Sequence, residues 1–295
     1  MSEIKAVGFI GLGVMGEAMC RNLARKCGKP VVGYDRRPEP LERLAKDGVT
    51  RADSVADLVR RVDLVLVCVP GEPESRAVCL GKDGVVANAR AGQILVDMST
   101  VQPSVGRDTA AACAKKSVEY LDAPIARARF AAIDGTLSIT VGGDAAVLKR
   151  VHPFFATMGT DITHCGGVGT GQVMKLMNNM VVFENLNAVA EAYTIAKRAG
   201  MDGVLFLETL AKGSGDSFVC RNHAMKSMAK DDHPENAFPV TYAIKDVSYA
   251  LQLAEEMGVN ARGAKLVVEL LEHANKAGYG AKYSTIIQRI VDGRI

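Results

Sequence analysis

Through the first half of the chain short apolar runs alternate with amphipathic stretches, and near residue 165 the alternation stops. Residues 6–10, 30–34, 63–69, 93–98, 118–123 and 137–141 are apolar runs of five to seven positions. The run DLVLVCV at 63–69 is nearly unbroken, as a strand buried on both faces of a parallel sheet must be. Strands and helices in alternation predict an α/β domain built on a doubly wound parallel sheet. Beyond Gly169 a 3.6-residue period takes over and predicts helices at 170–199, 203–211, 217–229, 240–257, 261–277 and 284–291. Gly200, Gly258 and Gly278 lie where glycine stops are expected. The change of pattern places a domain boundary at about 165, with residues 1–164 forming the sheet domain and 165–295 an all-helical one. The first predicted helix is about 45 Å long at 1.5 Å per residue and is read as a long interdomain helix.

A length of 295 residues agrees with two domains, and 48% apolar with 23% charged residues is ordinary for a globular protein. The net charge of +3 gives a nucleic-acid role no electrostatic support. Seven cysteines are scattered without a C-x-x-C pair and without a histidine at zinc-ligand spacing, so they read as reduced packing residues and no metal site is expected. The N-terminus enters a strand pattern within a few residues, and no run of about 18 uncharged apolar residues is present to span a bilayer. The expected location is the cytoplasm, with no membrane partner.

The first apolar run leads directly into Gly11-Leu12-Gly13-Val14-Met15-Gly16 and then an amphipathic helix, and the second run ends at Asp35, 19 positions after Gly16. Alone, G-x-G-x-x-G is a weak signal. Flanked by a strand, a helix and an acidic residue about 20 positions on, it is the dinucleotide-binding fingerprint of a Rossmann-type sheet. Gly11 permits the tight turn, Gly13 lets the backbone approach a pyrophosphate, and Gly16 lets the helix pack close. Asp35 suits the ribose hydroxyls of NAD and repels a 2′-phosphate. Arg36 and Arg37 follow it, and an arginine there can accommodate that phosphate, so NAD is favoured with NADP possible. Val69 and Pro70, at the end of the 63–69 run, complete the candidate cofactor loops.

Ser99 and Thr100 follow the 93–98 strand, where loops of a doubly wound sheet line the ligand crevice; the competing reading is simple helix capping. The segment DAPIARARFAAIDGTL at 122–137 is neither a good helix nor a good strand, and loops of this length are usually functional. Its Arg127 and Arg129 read either as surface charge or as a fork for an oxyanion. Lys175 and Asn179 stand at i and i+4 on one face of the long helix. Lys245 and Asp246 are adjacent, diverge by about 100° on a helix, and by spacing alone read as a solvated face.

The motifs GFIGLGVMGEAM, DMSTVQP, DAPIARARFAAIDGTL, GTGQVMKLMNN and FPVTYAIKD occur in the order found in the β-hydroxyacid dehydrogenase family, and the resemblance covers essentially the whole chain. It implies that Lys175 matches the family's catalytic lysine and Asn179 the asparagine that contacts substrate or holds the lysine, with Asn178 beside it. Ser99 and Thr100 match the loop near nicotinamide and substrate. Phe238, Lys245 and Asp246 match the F-P-x5-K-D segment, Lys245 on the cofactor side and the other two on the substrate side. One departure stands out. Members acting on 3-hydroxyisobutyrate read D-A-P-V-S-G-G, whereas here Ala126, Arg127 and Ala128 replace the substrate-binding Ser-Gly-Gly. Arg127 resembles the basic residue of relatives such as sulfolactaldehyde reductase.

The resemblance therefore implies an NAD(P)-dependent oxidoreductase acting on a small β-hydroxyacid or its semialdehyde, with a carboxylate or sulfonate near Arg127. Lys175 would act as acid and base. An unperturbed lysine, with a pKa of about 10.4, is a poor base near neutrality; burial and the cationic nicotinamide would lower it. The rivals are a sulfolactaldehyde-type reductase, a non-catalytic NAD(P)-binding module and an imine reductase on the same scaffold. The retained lysine disfavours the last two. An extended helical half with apolar faces implies a homodimer or homotetramer.

Overall fold

Val7–Ile10 forms the central strand β1, with all four residues buried. It pairs in parallel with β2 (Val31–Tyr34) and β4 (Leu64–Val67). Side chains on a strand alternate between faces, and both faces here are covered. Phe9, Leu64 and Leu66 join one hydrophobic cluster, while Ile10, Val65 and Val67 join another. This is why the strands read as continuous apolar runs and not as alternating ones.

The computed structural model describes residues 3–127, 129–235 and 237–295, which fall into two units, Met1–Lys175 and Leu176–Ile295. In the first unit β3 is Val49–Arg51, β5 Ile94–Asp97, β6 Glu119–Asp122, β7 Ile125–Ala126, β8 Leu137–Gly143 and β9 Gly159–Gly166. The sheet order is β3-β2-β1-β4-β5-β6-β8-β7, with β9 pairing β8. From β3 to β6 all pairs are parallel, in the Rossmann order, which reverses direction between β1 and β4. β8 runs antiparallel to β6 and β7 and parallel to β9.

Three strands escape the hydrophobic pattern. β3 buries only its first residue, and β9, GTDITHCG, is largely exposed or half-buried, an edge strand with no apolar run. The segment after Asp122 contains the two-residue β7 and a helix at Arg129–Asp134.

The second unit is helical. Phe183, Leu186, Ala190 and Tyr193 pack with Leu207, Val240, Ala243, Val247, Val267, Leu271 and Ile286, each fully buried large side chain contributing about 1.5–3 kcal/mol. Gly200 and Gly258 adopt φ of +93° and +69° just beyond Thr170–Arg198 and Val240–Glu256, where only glycine turns freely. The predicted helix at 217–229 has π-type bonding over Val219–Met228, and the one at 261–277 ends in a π-turn at Asn275–Tyr279. Among the described residues no helix is long and apolar enough to cross a membrane.

The compact sheet unit runs on to Lys175, past the change of pattern near 165. The pattern changes where the strands end, but the first turn of the helix Thr170–Arg198 is hydrogen-bonded to the sheet unit through Asp122 and the Ser99–Val101 loop.

Near the C-terminus Asp231 accepts bonds from Arg289 at 2.9 Å and Arg294 at 2.8 Å. Burial alone would raise its carboxyl, but the two guanidiniums outweigh that and hold it well below the usual carboxylate range. A depressed carboxylate contributes stability above its unfolded pKa, about 3.9, that is lost as pH falls through the folded value. Asp231→Asn is expected to cost about 1 kcal/mol near neutrality, discounted for the exposure of the cluster. The gap between parent and variant should narrow as thermal melts are taken below about pH 4.

Candidate active site

Gly11 ends β1 in the left-handed region at φ +91°. A Cβ there would stand 2.2 Å from the Cys68 carbonyl oxygen, and one at Gly16 would stand 2.0 Å from the Gly11 carbonyl oxygen. Both glycines are demanded by the fold itself. Gly13 differs, because a Cβ there would meet nothing within 4 Å. The backbone at Gly13 therefore faces open space at the start of the helix Gly16–Lys26, where backbone N–H groups and the helix dipole favour an anion. A cradle that a Cβ would fill is what a pyrophosphate requires, and the residues fit the dinucleotide. Leu12 is buried, Met15 half-buried and Val14 68% exposed.

Asp35 closes this loop. Its Oδ2 accepts the Leu12 N–H at 2.7 Å, while Oδ1 accepts the Arg37 N–H at 2.9 Å and Arg37 Nε at 3.4 Å. The carboxylate thus ties the end of β2 to the glycine turn, and Arg36 beside it is exposed. Val69 and Pro70 follow β4, next to the point where the sheet order reverses and where ligands of open α/β sheets bind. The Val69 N–H donates to Ser99 Oγ at 3.0 Å.

That bond joins the loop after β4 to the loop after β5. Asp97, the last residue of β5, accepts the Ser99 N–H at 2.9 Å and the Ser75 hydroxyl at 2.5 Å. Burial raises the Asp97 carboxyl, opposed by these bonds. Ser99 is buried and Thr100 half-buried. Gln172, in the first turn of the long helix, donates to the Ser99 carbonyl at 2.7 Å and accepts the Val101 N–H at 3.1 Å. Asp122, at the end of β6, accepts the N–H groups of Gly169 at 2.6 Å and Gln172 at 2.9 Å. Lys175, 9% exposed, stands three residues beyond Gln172 on the same helix.

Arg127 follows β7 with φ +77°, a left-handed conformation in a non-glycine residue. Nη1 donates to the Thr136 carbonyl at 2.7 Å and Thr160 Oγ1 at 3.2 Å, and Nη2 pairs with Asp161 at 2.6 Å. Ala126 is half-buried and pairs with Ser138. Ala128 lies outside the described residues.

Within the helical unit the structure brings three sequence candidates together. Asn179 Nδ2 donates to Asp246 Oδ2 at 2.6 Å, and Lys245 Nζ lies 3.1 Å from Asp246 Oδ1. The reading of Lys245 and Asp246 as a diverging, solvated pair is corrected. Asp246 is buried, and the long lysine stem bends back to it over the rings of Tyr242 and Tyr249, at 5.7 and 5.6 Å. Exposed Asn178 donates to Asn179 Oδ1 at 3.0 Å. Phe238 packs on Phe183, with ring centroids 5.6 Å apart.

Asp97, Asp122 and Gln172 were not singled out by the sequence. Their signals are carboxylates closing apolar strands and a glutamine beside a GTG turn, patterns that gain meaning only once the strand ends are seen to meet the helix. Among the described residues no group of three or more His, Cys, Asp or Glu is placed to hold a metal ion.

Known proteins resemble the chain over nearly its whole length. Residues 6–167 match the family model for the NAD-binding domain of 6-phosphogluconate dehydrogenase, and residues 169–290 that for the NAD-binding region of NADP-dependent 3-hydroxyisobutyrate dehydrogenase. The chain is 32% identical to 2-hydroxy-3-oxopropionate reductase of Escherichia coli, covering 96% of each, and 29% identical to mitochondrial 3-hydroxyisobutyrate dehydrogenase of Rattus norvegicus, covering 98% of this chain and 88% of the other. The solved structure of Mycobacterium tuberculosis 3-hydroxyisobutyrate dehydrogenase with L-serine superposes with a TM-score of 0.88 at 26% identity, covering 98% of this chain and 99% of the other.

The two glycines with different surroundings separate folding from binding. Gly13→Ala is expected to keep the parental thermal midpoint and to weaken dinucleotide affinity by about tenfold or more, read by fluorescence titration. Gly16→Ala should lose about 1–3 kcal/mol of stability through overpacking.

Proposed function

The chain belongs to the β-hydroxyacid dehydrogenase family, NAD(P)-dependent oxidoreductases acting on CH–OH groups, and from that premise we propose that Lys175 is its proton donor and acceptor. The proposed substrate is a small β-hydroxyacid or the matching semialdehyde bearing a carboxylate or sulfonate. The observation that carries this reading is a buried lysine one turn beyond a helix start that is itself bonded to the Ser99–Val101 loop.

The nicotinamide, when bound, supplies the hydride acceptor or donor. Lys175 Nζ takes the hydroxyl proton in the oxidising direction and returns it to the carbonyl oxygen in the reducing one. Asn179, one turn further along the helix, has its amide oriented by Asp246 and serves to position the substrate or the lysine. Thr100, half-buried beside the buried Ser99, is the proposed substrate-facing side chain of its loop. The carboxylate of Asp35 at the end of β2 favours NAD over NADP.

For Arg127, the supporting observation is its backbone. A left-handed non-glycine residue costs about 1 kcal/mol, and such strain gathers at functional positions. Its partner Asp161 and the guanidinium are both about half exposed, and an exposed ion pair of this kind holds weakly. A substrate oxyanion can displace Asp161 and take over its charge-assisted contact with Nη2. Exposed Val181, Ile195, Met257 and Val259 in the helical unit support assembly into a homo-oligomer.

Lys175→Ala should lose about 10²–10⁴-fold in kcat while still binding NADH; near-parental turnover would show that another group moves the proton. A spectrophotometric screen of carboxylated, sulfonated and uncharged hydroxy compounds and semialdehydes, with NAD and NADP in parallel, identifies the substrate class. In that screen Arg127→Ala should raise KM about tenfold or more for oxyanionic substrates only, the worth of a lost charge-assisted bond, and Asp161→Asn should lower it. An unchanged KM in both variants removes Arg127 from substrate recognition.

A further inference from the structure

Gln172 is fully buried, and both ends of its side-chain amide are engaged with one short stretch of chain. Nε2 donates to the Ser99 carbonyl at 2.7 Å and Oε1 accepts the Val101 N–H at 3.1 Å. These two backbone groups flank Thr100, so a single planar amide grips the loop on either side of that residue. The grip is anchored from behind. The Gln172 N–H donates to Asp122 Oδ2 at 2.9 Å and the Gly169 N–H to Asp122 Oδ1 at 2.6 Å. At Gly171, between them, a Cβ would lie 2.5 Å from the Thr140 carbonyl oxygen, so the helix start lies hard against β8. The loop is fixed from its other side, with the Ser99 N–H on Asp97 and the Ser99 hydroxyl on the Val69 N–H. Positions 172 and 175 are neighbours on one helical face.

We propose that Gln172 is a positioning residue that sets Lys175 in register with the Thr100 loop, so that the lysine and the loop meet the same substrate. The inference rests on the reading of Lys175 given above. Gln172 touches neither substrate nor cofactor in this scheme; it acts through the Ser99–Thr100–Val101 backbone. The chemistry selects glutamine narrowly. Methionine has the length without either hydrogen bond, asparagine is one methylene short, and ionised glutamate offers no donor to the Ser99 carbonyl. Protonated glutamic acid restores both bonds, with its O–H donating to the Ser99 carbonyl and its C=O accepting the Val101 N–H.

Three variants test the proposal: Gln172→Met, Gln172→Glu and Lys175→Ala, each assayed on the most active compound of the screen above, with NADH affinity and thermal midpoint measured beside activity. Gln172→Met should lower kcat by up to about 100-fold, the cost of a misplacement of about 1 Å, with NADH affinity within about twofold of the parent and faster amide exchange at Val101. In Gln172→Glu the ratio of kcat to the parental value should rise as pH falls, because burial keeps the acid protonated to a higher pH than the ordinary 4.3 or so. The same ratio for Gln172→Met should be flat with pH. Loss of thermal midpoint with parental kcat in Gln172→Met, or a flat ratio in Gln172→Glu, overturns the proposal while an inactive Lys175→Ala leaves the lysine reading standing. Parental turnover in Lys175→Ala overturns that reading and this inference with it.

Discussion

A single carboxylate holds the start of the long helix. The first N–H groups of any helix lack intrahelical partners, and the helix dipole makes that end favourable for negative charge. Here Asp122, some fifty residues earlier in the chain, meets the N–H groups of Gly169 and Gln172. Burial raises its carboxyl while these N–H bonds oppose the shift. The surroundings are shaped to admit it. A Cβ at Gly142 would stand 2.5 Å from Asp122 Oδ1, and one at Gly171 would stand 2.8 Å from Oδ2. Side chains at either position would force the carboxylate away from the helix, and with it the turn that carries Lys175.

The remaining parts of the candidate site in the sheet unit use the same device of an acidic residue at a strand end binding backbone N–H groups. Asp35 after β2 holds Leu12 in the glycine turn, and Asp97 at the end of β5 holds Ser99. A parallel sheet leaves its carboxyl ends as a row of loops with unsatisfied N–H groups. Two of those loops, after β1 and β5, are organised by a carboxylate from the sheet, and Asp122 does the same for the start of the long helix. Their rigidity is therefore inherited from the strands and not from the loops' own composition, which is the arrangement that preorganised chemistry requires. Gly13 is the exception that leaves space, and it does so where the cofactor phosphate is expected.

Much of this was legible in the sequence, for definite reasons. β1, β4 and β5 are buried on both faces, so their composition alone betrays them. The glycine fingerprint works because each glycine answers a separate steric demand. β9 was illegible because it lies at the sheet edge and is built of Thr, Asp and His, with no apolar run to see. Spacing alone left the Lys245–Asp246 pair as a solvated face, and only the resemblance pointed to a site, because helical spacing describes where side chains start and not where a four-carbon stem ends. Gln172 and Asp122 were silent for a different reason. Their roles consist wholly of bonds to backbone groups 47 to 73 residues away, and no local pattern encodes such a partner.

These facts also explain why the chemistry is more readable than the substrate. The start of the helix that carries Lys175 and the glycine turn are fixed by backbone N–H bonds to Asp122 and Asp35, each of which constrains residue type tightly. Substrate recognition in the proposed scheme falls instead to exposed Arg127, which follows β7, a strand paired to β8 through Ile125 and Ala126. Arg127 adopts a strained φ there, and its guanidinium is held by Thr136, Thr160 and Asp161, apart from Asp122 and Gln172. In the proposed scheme a scaffold divided in this way can change the anion it selects while leaving the proposed proton donor in place.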